Sequence, residues 1–541
     1  MTHWAISKLI KNISPISTGC ILIFLCLMLV LTSLTLKIIF LANSELMIDQ
    51  AHYSWWIKSM IDQKNIFPES GLINIKADPF NFLHQLLIRI YNDPFRLFNI
   101  VSVAMFYPLV AIFSNGWIGF NLASIIYSNF LSLTIAYFAL TIVNPKIHQK
   151  YFFSLLAIGV ATTQHYLYYF SYLGMHVVGS LFYLLFLAQL NSFLHSCRCA
   201  LPYKKKASLF IVIALAIYAH WTNLLLVPVT IIISLVFTSS ISWREKFRKI
   251  GKLIAYIMIL VIPFFILIKN LHNFDLFYYS GVGSKQSLDL YLERGVIWLQ
   301  KTALLATLPW LMLGIFGAYV AMQRYSAVLM AAIFSHFLLA TFVPSFSGFA
   351  YLRTFVYLLP VLLTASICAI LFTYRKKYVN QLIWVLAVVG VVINSQLIYN
   401  QDLFNKRNPD FFNEYHACNG TLKNAVEKAS AMLIKKKVIY GDYYARDLFC
   451  GFRTNISCNL PALNSLVERS SASNAEFSAY LLQRGIDLNQ YFKDHEIIIS
   501  IEPLKINELK NMGLALSNYV SPLALDCTGM KGLNIYSYKR Y

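Results

Sequence analysis

The chain has 541 residues, of which 58% are hydrophobic and only 13% charged, with a mean hydropathy of +0.59 and a formal net charge of +21. A soluble globular chain carries about 25% charged residues, so the composition excludes one, and apolar runs of helical length without alternation exclude a barrel. The charge is not a nucleic-acid footprint, because residues 1–399 hold 28 Lys+Arg against 10 Asp+Glu while residues 400–541 hold 17 against 14.

Lys8 and Lys11 precede the first apolar run, residues 18–41. That run meets the roughly 20 residues a bilayer crossing needs and is too long for a cleavable signal. It leads directly into Glu45-Leu46-Met47-Ile48-Asp49-Gln50-Ala51-His52-Tyr53-Ser54-Trp55-Trp56. Asp49 is thereby set at the membrane surface, flanked by Glu45, His52 and Tyr53. A carboxylate at that depth can act as general base on a substrate held in the lipid. The plain alternative is a solvated loop acid beside an interfacial aromatic belt.

Residues 42–116 form an external loop. Within it, an amphipathic stretch at 80–90 and an apolar one at 98–113 read as interfacial or re-entrant pieces. Residues 117–143 return to Lys146 and Lys150. A hairpin of 151–172 and 174–194 ends at Arg198 with Lys204, Lys205 and Lys206. A second hairpin, 207–220 and 222–238, has His220-Trp221 at its outer tip and ends at Arg244, Lys246, Arg248, Lys249 and Lys252. Residues 253–270 lead to a second external loop, 271–295. Then come 296–320, 326–343, 351–373 and 379–399, with Arg324 and Arg375-Lys376-Lys377 in the inner turns. These clusters hold 17 basic residues and one acid, Glu245. Lys and Arg collect in cytoplasmic loops, so the N-terminus is inside and the chain beyond residue 399 is outside. The path makes about 11 crossings of a bilayer.

After residue 399 the polarity is ordinary. Helix-like stretches at 422–434, 475–484 and 505–512 alternate with β-rich runs at 437–440, 496–501 and 533–538, the pattern of a small α/β domain. The fold class is thus an all-α polytopic membrane domain, residues 1–399, carrying an extracytoplasmic α/β domain, residues 400–541. Cys418, Cys450, Cys458 and Cys527 are an even number in an external domain, which suggests two disulfides. Cys450–Cys458 with Cys418–Cys527 is the favoured pairing of three, against four free thiols. No CxxC suggests zinc.

The acidic loop after the first span, the short hairpins, the second loop and the trailing domain together resemble the glycosyltransferase C superfamily. The likeness is to the branch of the lipid A aminoarabinose transferases and protein O-mannosyltransferases. Asp49-Gln50-Ala51 resembles that family's Asp-Glu-Ala, with Gln50 in place of the usual Glu. Lys76-Ala77-Asp78-Pro79-Phe80 resembles its Lys-Pro-Pro-aromatic segment. Gly174-Met175-His176 stands where the family often has an Asp, and Ala219-His220-Trp221-Thr222 and Tyr351-Leu352-Arg353-Thr354 fall at its short polar motifs.

The resemblance implies transfer of a sugar from a polyprenyl-phosphate carrier, of undecaprenyl type, to a glycan or lipid acceptor across the membrane. Asp49 takes the acceptor proton, and a single displacement inverts the anomeric carbon. Cations for the phosphate come from Lys58, Lys76, Arg89, Lys285, Arg294 and Arg353. Arg294 and Arg353 rank first because a guanidinium grips phosphate through two hydrogen bonds, with headgroup snorkelling the alternative. His52, Tyr53, His165 and His176 are further substrate-side candidates, though buried, satisfied histidine is the ordinary reading of the last two. The sequence specifies no cofactor; a divalent metal held by Asp49, with His176 as its best partner, is the alternative. Partners are the lipid-linked sugar, its acceptor and membrane lipids, with no nucleic acid. The expected location is the bacterial inner membrane with residues 400–541 periplasmic. A transporter would call for repeated halves and charged residues within the spans; no repeat is seen, and the acids gather in the two external loops rather than inside the spans.

Overall fold

The computed structural model describes residues 15–42, 57, 98–113, 116–169, 174–195, 203–238, 242–269, 288–324, 326–343, 351–374 and 377–399. In the C-terminal region it describes 421–433, 436, 438–442, 445, 449, 496–501, 504, 514–527 and 530–540. The chain divides into two compact units. One comprises Met1–Ile39, Leu97–Ser102 and Ser124–Asn408; the other comprises Phe40–Arg96, Val103–Ala123 and Pro409–Tyr541.

The protein is an integral membrane protein, largely helical. Its helices are α1 (Pro15–Ala42), α2 (Ile100–Ile112), α3 (Gly116–Val143), α4 (Ile147–Thr162), α5 (His165–Tyr169) and α6 (Met175–His195). They continue with α7 (Tyr203–Ala219), α8 (Thr222–Phe237), α9 (Trp243–Lys269), α10 (Leu288–Ala306), α11 (Leu308–Gln323), α12 (Val328–Phe342), α13 (Tyr351–Thr373) and α14 (Lys377–Tyr399). Among the described residues four stretches are long and apolar enough to span: Ile118–Val143, Met175–Leu194, Thr354–Thr373 and Val379–Ile398. Five shorter apolar helices accompany them, including Ile23–Ile39.

The centre of the first unit is α13. Every side chain from Thr354 to Leu371 is buried, as expected of a helix apolar on all faces. It packs on α11 through small residues. A Cβ on Gly317 would overlap the Ala365 carbonyl oxygen, and one on Gly314 would lie 3.0 Å from that of Leu362. Close approach of this kind replaces the hydrophobic effect, which is absent between helices in lipid.

Two expected spans are broken. The stretch 296–320 is not one helix, because α10 and α11 meet at an angle of 108°. The corner is Thr307, at φ 62° and ψ 147°, and Pro309 follows at the start of α11, where its missing N–H costs nothing. The stretch 151–172 divides into α4 and the single turn of α5. The 98–113 stretch contains α2, a 13-residue helix with Pro108 inside it. At 1.5 Å per residue such a helix is about 20 Å long, short of the ~30 Å hydrocarbon core.

In the second unit α15 (Thr421–Met432) accompanies five strands: β1 (Val438–Tyr440), β2 (Ile497–Ser500), β3 (Leu514–Asn518), β4 (Leu523–Cys527) and β5 (Met530–Arg540). The sheet order is β1-β2-β5-β3, with β4 also on β5. β1 and β2 are parallel and the other pairs antiparallel. β2 is buried along its whole length, which explains its unbroken Ile-Ile-Ile run. β3 and β4 were not expected from the sequence, and the helices expected at 475–484 and 505–512 lie outside the described residues. At the ends of the two parallel strands, the buried Asp442 carboxylate accepts from the Ala445 N–H at 2.7 Å, the Ser500 hydroxyl at 2.8 Å and the Ile501 N–H at 2.6 Å.

Candidate functional site

The candidate acid Asp49, the substrate-side candidates His52 and Tyr53, and four of the candidate cations, Lys58, Lys76, Arg89 and Lys285, lie outside the described residues. So do Cys418, Cys450 and Cys458; Cys527 closes β4. Arg353 lies in the first turn of α13. Arg294, half-buried on α10, sets its guanidinium 5.9 Å from the Tyr291 ring centre, one turn back. His165 and His176 are described, and both belong to a buried polar layer in the first unit.

The layer begins at Gly174, whose φ of 46° turns the chain into α6 and which a side chain would strain. His176, in the first turn of α6, stacks on His220, which occupies the turn between α7 and α8. The ring centres are 4.1 Å apart and tilted by 40°. His220 Nδ1 accepts from the Thr222 backbone N–H at 3.2 Å and lies 2.9 Å from the Thr222 hydroxyl. The neutral His220 ring therefore carries its proton on Nε2. The Tyr357 ring of α13 lies 6.1 Å from His220 and meets Tyr183 edge-on. Gly179, one turn beyond His176, makes room for both: a Cβ there would collide with the Tyr357 hydroxyl and approach His220 Cβ to 2.7 Å.

Side chains tie these elements together by their backbones. Asn223 donates to the carbonyls of Gly179 and Ala216 at 2.9 and 2.8 Å. Ser102 donates to Ala219 O at 2.6 Å and Ser180 to Val356 O at 2.7 Å. Such bonds carry helix association in a bilayer, where an unsatisfied polar group has no water to turn to.

Two further clusters adjoin. Asn394 of α14 donates to Gln164 Oε1 at 2.8 Å and accepts from His165 Nδ1 at 2.7 Å, which assigns the Nδ1–H tautomer. His336 of α12 accepts from Trp298 Nε1–H at 2.9 Å and donates from Nε2 to Thr354 O at 2.9 Å. With both ring nitrogens engaged, His336 is a neutral structural bridge.

The layer has a side. Lys37 nears the end of α1, His176 opens α6, His220 lies between α7 and α8, Tyr357 is near the start of α13 and Asn394 near the end of α14. Lys146, Lys150, Arg244, Lys246 and Arg324 lie at the opposite helix ends. Sequence reasoning reached His165, His176 and His220 and passed over Lys37, Tyr357, His336 and Asn394. Their one signal was a polar residue inside an apolar run. Among the described residues no three His, Cys, Asp or Glu side chains come together to hold a metal ion; the pair His176–His220 offers two at most, and Asp49 lies outside the described residues.

No protein-family model and no curated protein sequence matches the chain. Solved structures do. ArnT from Cupriavidus metallidurans bound to undecaprenyl phosphate aligns with a TM-score of 0.56 at 12% identity, covering 94% of this chain and 97% of that one. Its apo state gives 0.54 at 12%, over 96% and 98%. An Archaeoglobus fulgidus oligosaccharyltransferase in complex with zinc and sulfate gives 0.49 at 11%, over 90% and 69%. At these identities the likeness is one of fold. The fold of ArnT runs through nearly the whole of both chains, and the resemblance to membrane glycosyltransferases read from the short sequence motifs holds at that level.

Proposed function

We propose that the protein is an inverting glycosyltransferase that moves a sugar from a polyprenyl-phosphate carrier to an acceptor in the cell envelope. The observation that carries this reading is the end-to-end likeness of fold to ArnT, one of whose structures holds undecaprenyl phosphate. The polar layer supports it. An apolar bundle with hydrogen-bonding groups gathered at one end suits a ligand whose tail stays in lipid while its head needs polar partners. On the charge-bias topology that end is extracytoplasmic, the side on which Asp49 follows α1.

In this reading the Asp49 carboxylate takes the proton of the acceptor hydroxyl. The acceptor oxygen bonds to the anomeric carbon as the bond from that carbon to the phosphate oxygen breaks, and the prenyl phosphate leaves with the electron pair. Proton transfer of this kind is worth about 10²–10⁴-fold in rate. Charge stabilisation of the departing phosphate by Lys58, Lys76, Lys285, Arg294 and Arg353 adds to it. His52, Tyr53, His165 and His176 complete the sugar and acceptor side. The acceptor in the favoured form is an envelope glycan, lipopolysaccharide O-antigen or lipid A; a protein hydroxyl is the second reading, since the same base and displacement serve it. A divalent metal, where bound, would supply further positive charge to the phosphate. The C-terminal domain is then periplasmic and free to capture the acceptor.

The experiment is a mass-spectrometric comparison of envelope glycans from cells with the wild-type protein, without it, and with Asp49→Ala. Loss of one sugar in the second and third cases, with normal membrane levels of the variant, is the expected result. Full modification by Asp49→Ala would remove Asp49 as the base.

A further inference from the structure

Helix α1 docks on its unit in an unusual way. Of its described side chains only Ser33 and Lys37 are buried, one turn apart, and the rest are exposed or half-exposed and mostly apolar, such as Phe24, Leu31 and Ile39. Apolar surface gives no preference for protein over lipid tails, so the attachment rests on the polar pair. Lys37 is fully buried. Its ammonium donates to Ser128 Oγ at 2.9 Å and to Asn129 Oδ1 at 3.5 Å, and stands 5.6 Å from the Tyr168 ring centre.

Its surroundings are preset to receive it. Ser128 spends its proton on Leu167 O at 2.7 Å, and Asn129 spends its amide on Ile125 O at 2.9 Å. The Ser128 oxygen is thereby left only to accept, and the Asn129 amide is oriented with its oxygen toward the ammonium. No carboxylate lies within ion-pair distance of Lys37 among the described residues. A buried charge without a counter-charge is expensive in a membrane. If α1 needed only to pack there, an apolar side chain of the same length would serve better.

We propose that Lys37 is a positioning residue for the transfer reaction, its ammonium fixing the last turns of α1 and, through them, the chain that leaves α1 toward Asp49. The proposal rests on the functional reading above. Asp49 follows the end of α1 by seven residues, so an unanchored helix end leaves the base unplaced. Serine and asparagine on α3 and an aromatic on α5 recognise the ammonium, and α5 is itself pinned to α14 through His165 and Asn394. The exit of the first loop and the exit of the C-terminal segment are thus held by one hydrogen-bonded chain.

The test compares wild type, Lys37→Met and Asp49→Asn in detergent or nanodiscs, with an undecaprenyl-phosphate sugar as donor. Lys37→Met is expected to unfold at the wild-type temperature and to lower kcat on the order of ten- to a hundredfold, the scale of a misplaced catalytic group. Donor KM stays within about threefold, since binding is not what is lost. Hydrogen exchange rises over residues 30–42 and stays unchanged over α13. A kcat within about twofold of wild type, a lowered unfolding temperature or unchanged exchange in α1 would overturn the proposal. A fully active Asp49→Asn would remove Asp49 as the base and overturn the proposal with it. A wild-type protein that transfers no sugar would sink the glycosyl-transfer reading instead, and the exchange measurement would then still decide whether Lys37 anchors α1.

Discussion

Gly179→Ala sets two effects of opposite sign against each other at the polar layer. Alanine is favoured over glycine inside a helix by about 1 kcal/mol, and Gly179 lies within α6, so propensity alone would stabilise. The new methyl, however, lands on the Tyr357 hydroxyl and 2.7 Å from His220 Cβ. Neither neighbour is the loose end of a flexible chain: both rings are buried and wedged against Tyr183 and His176. Overpacking of a close-packed site costs about 1–3 kcal/mol, and the near-coincidence with an oxygen puts this case at the upper end. The net is a loss of about 1–2 kcal/mol, the difference of those two terms. Gly251 in α9 supplies the control, because a Cβ there meets nothing within 4 Å. Gly251→Ala therefore keeps the propensity gain alone. Thermal unfolding of the purified variants in one detergent gives the order Gly251→Ala at or above wild type, with Gly179→Ala below it. A Gly179→Ala protein as stable as wild type would refute the argued closeness of α6, His220 and Tyr357.

Asp442→Asn is not conservative, since one accepting carboxylate oxygen becomes an NH2 that only donates and must face either the Ala445 N–H or the Ile501 N–H. Its cost is about 1–3 kcal/mol for one lost bond and the loss of charge assistance in the others, read as faster hydrogen exchange in β1 and β2. His336→Leu preserves bulk but strands the Trp298 N–H in an apolar interior. A loss of about 1–3 kcal/mol follows, measured by thermal unfolding, and His336→Gln restores part of it.

How much of this could be read from residues alone divides along physical lines. The turn between α7 and α8 was legible to within a residue or so, because a polar His-Trp pair interrupts an apolar run where a tight turn needs it, whereas α7 begins four residues earlier than expected. The β1, β2 and β5 runs were legible from their β-branched and aromatic content, whereas β3 and β4, two five-residue strands with little alternation, were not. The corner at Thr307 carried a signal, a threonine followed at the second position by proline, but hydropathy runs straight through it. Lys37 was absorbed into the first apolar run because nothing local tells a lipid-facing position from a bundle-facing one. Ser128 and Asn129, which decide the matter, are more than 90 residues away. Asp49 is the reverse case: conspicuous in the sequence, and placed by chemistry and topology alone.

The all-round burial of α13 has a consequence for how this chain can change. One residue inserted or deleted in a helix turns everything beyond it by about 100°, and most spans absorb that by trading one lipid-facing stripe for another. α13 has no such stripe to trade. A single-residue indel upstream of Tyr357 would swing Tyr357 from His220 and Ser366 from Trp310 in the same stroke. Its length is therefore frozen where its composition is not, and drift in this region is confined to exchanges of one apolar side chain for another.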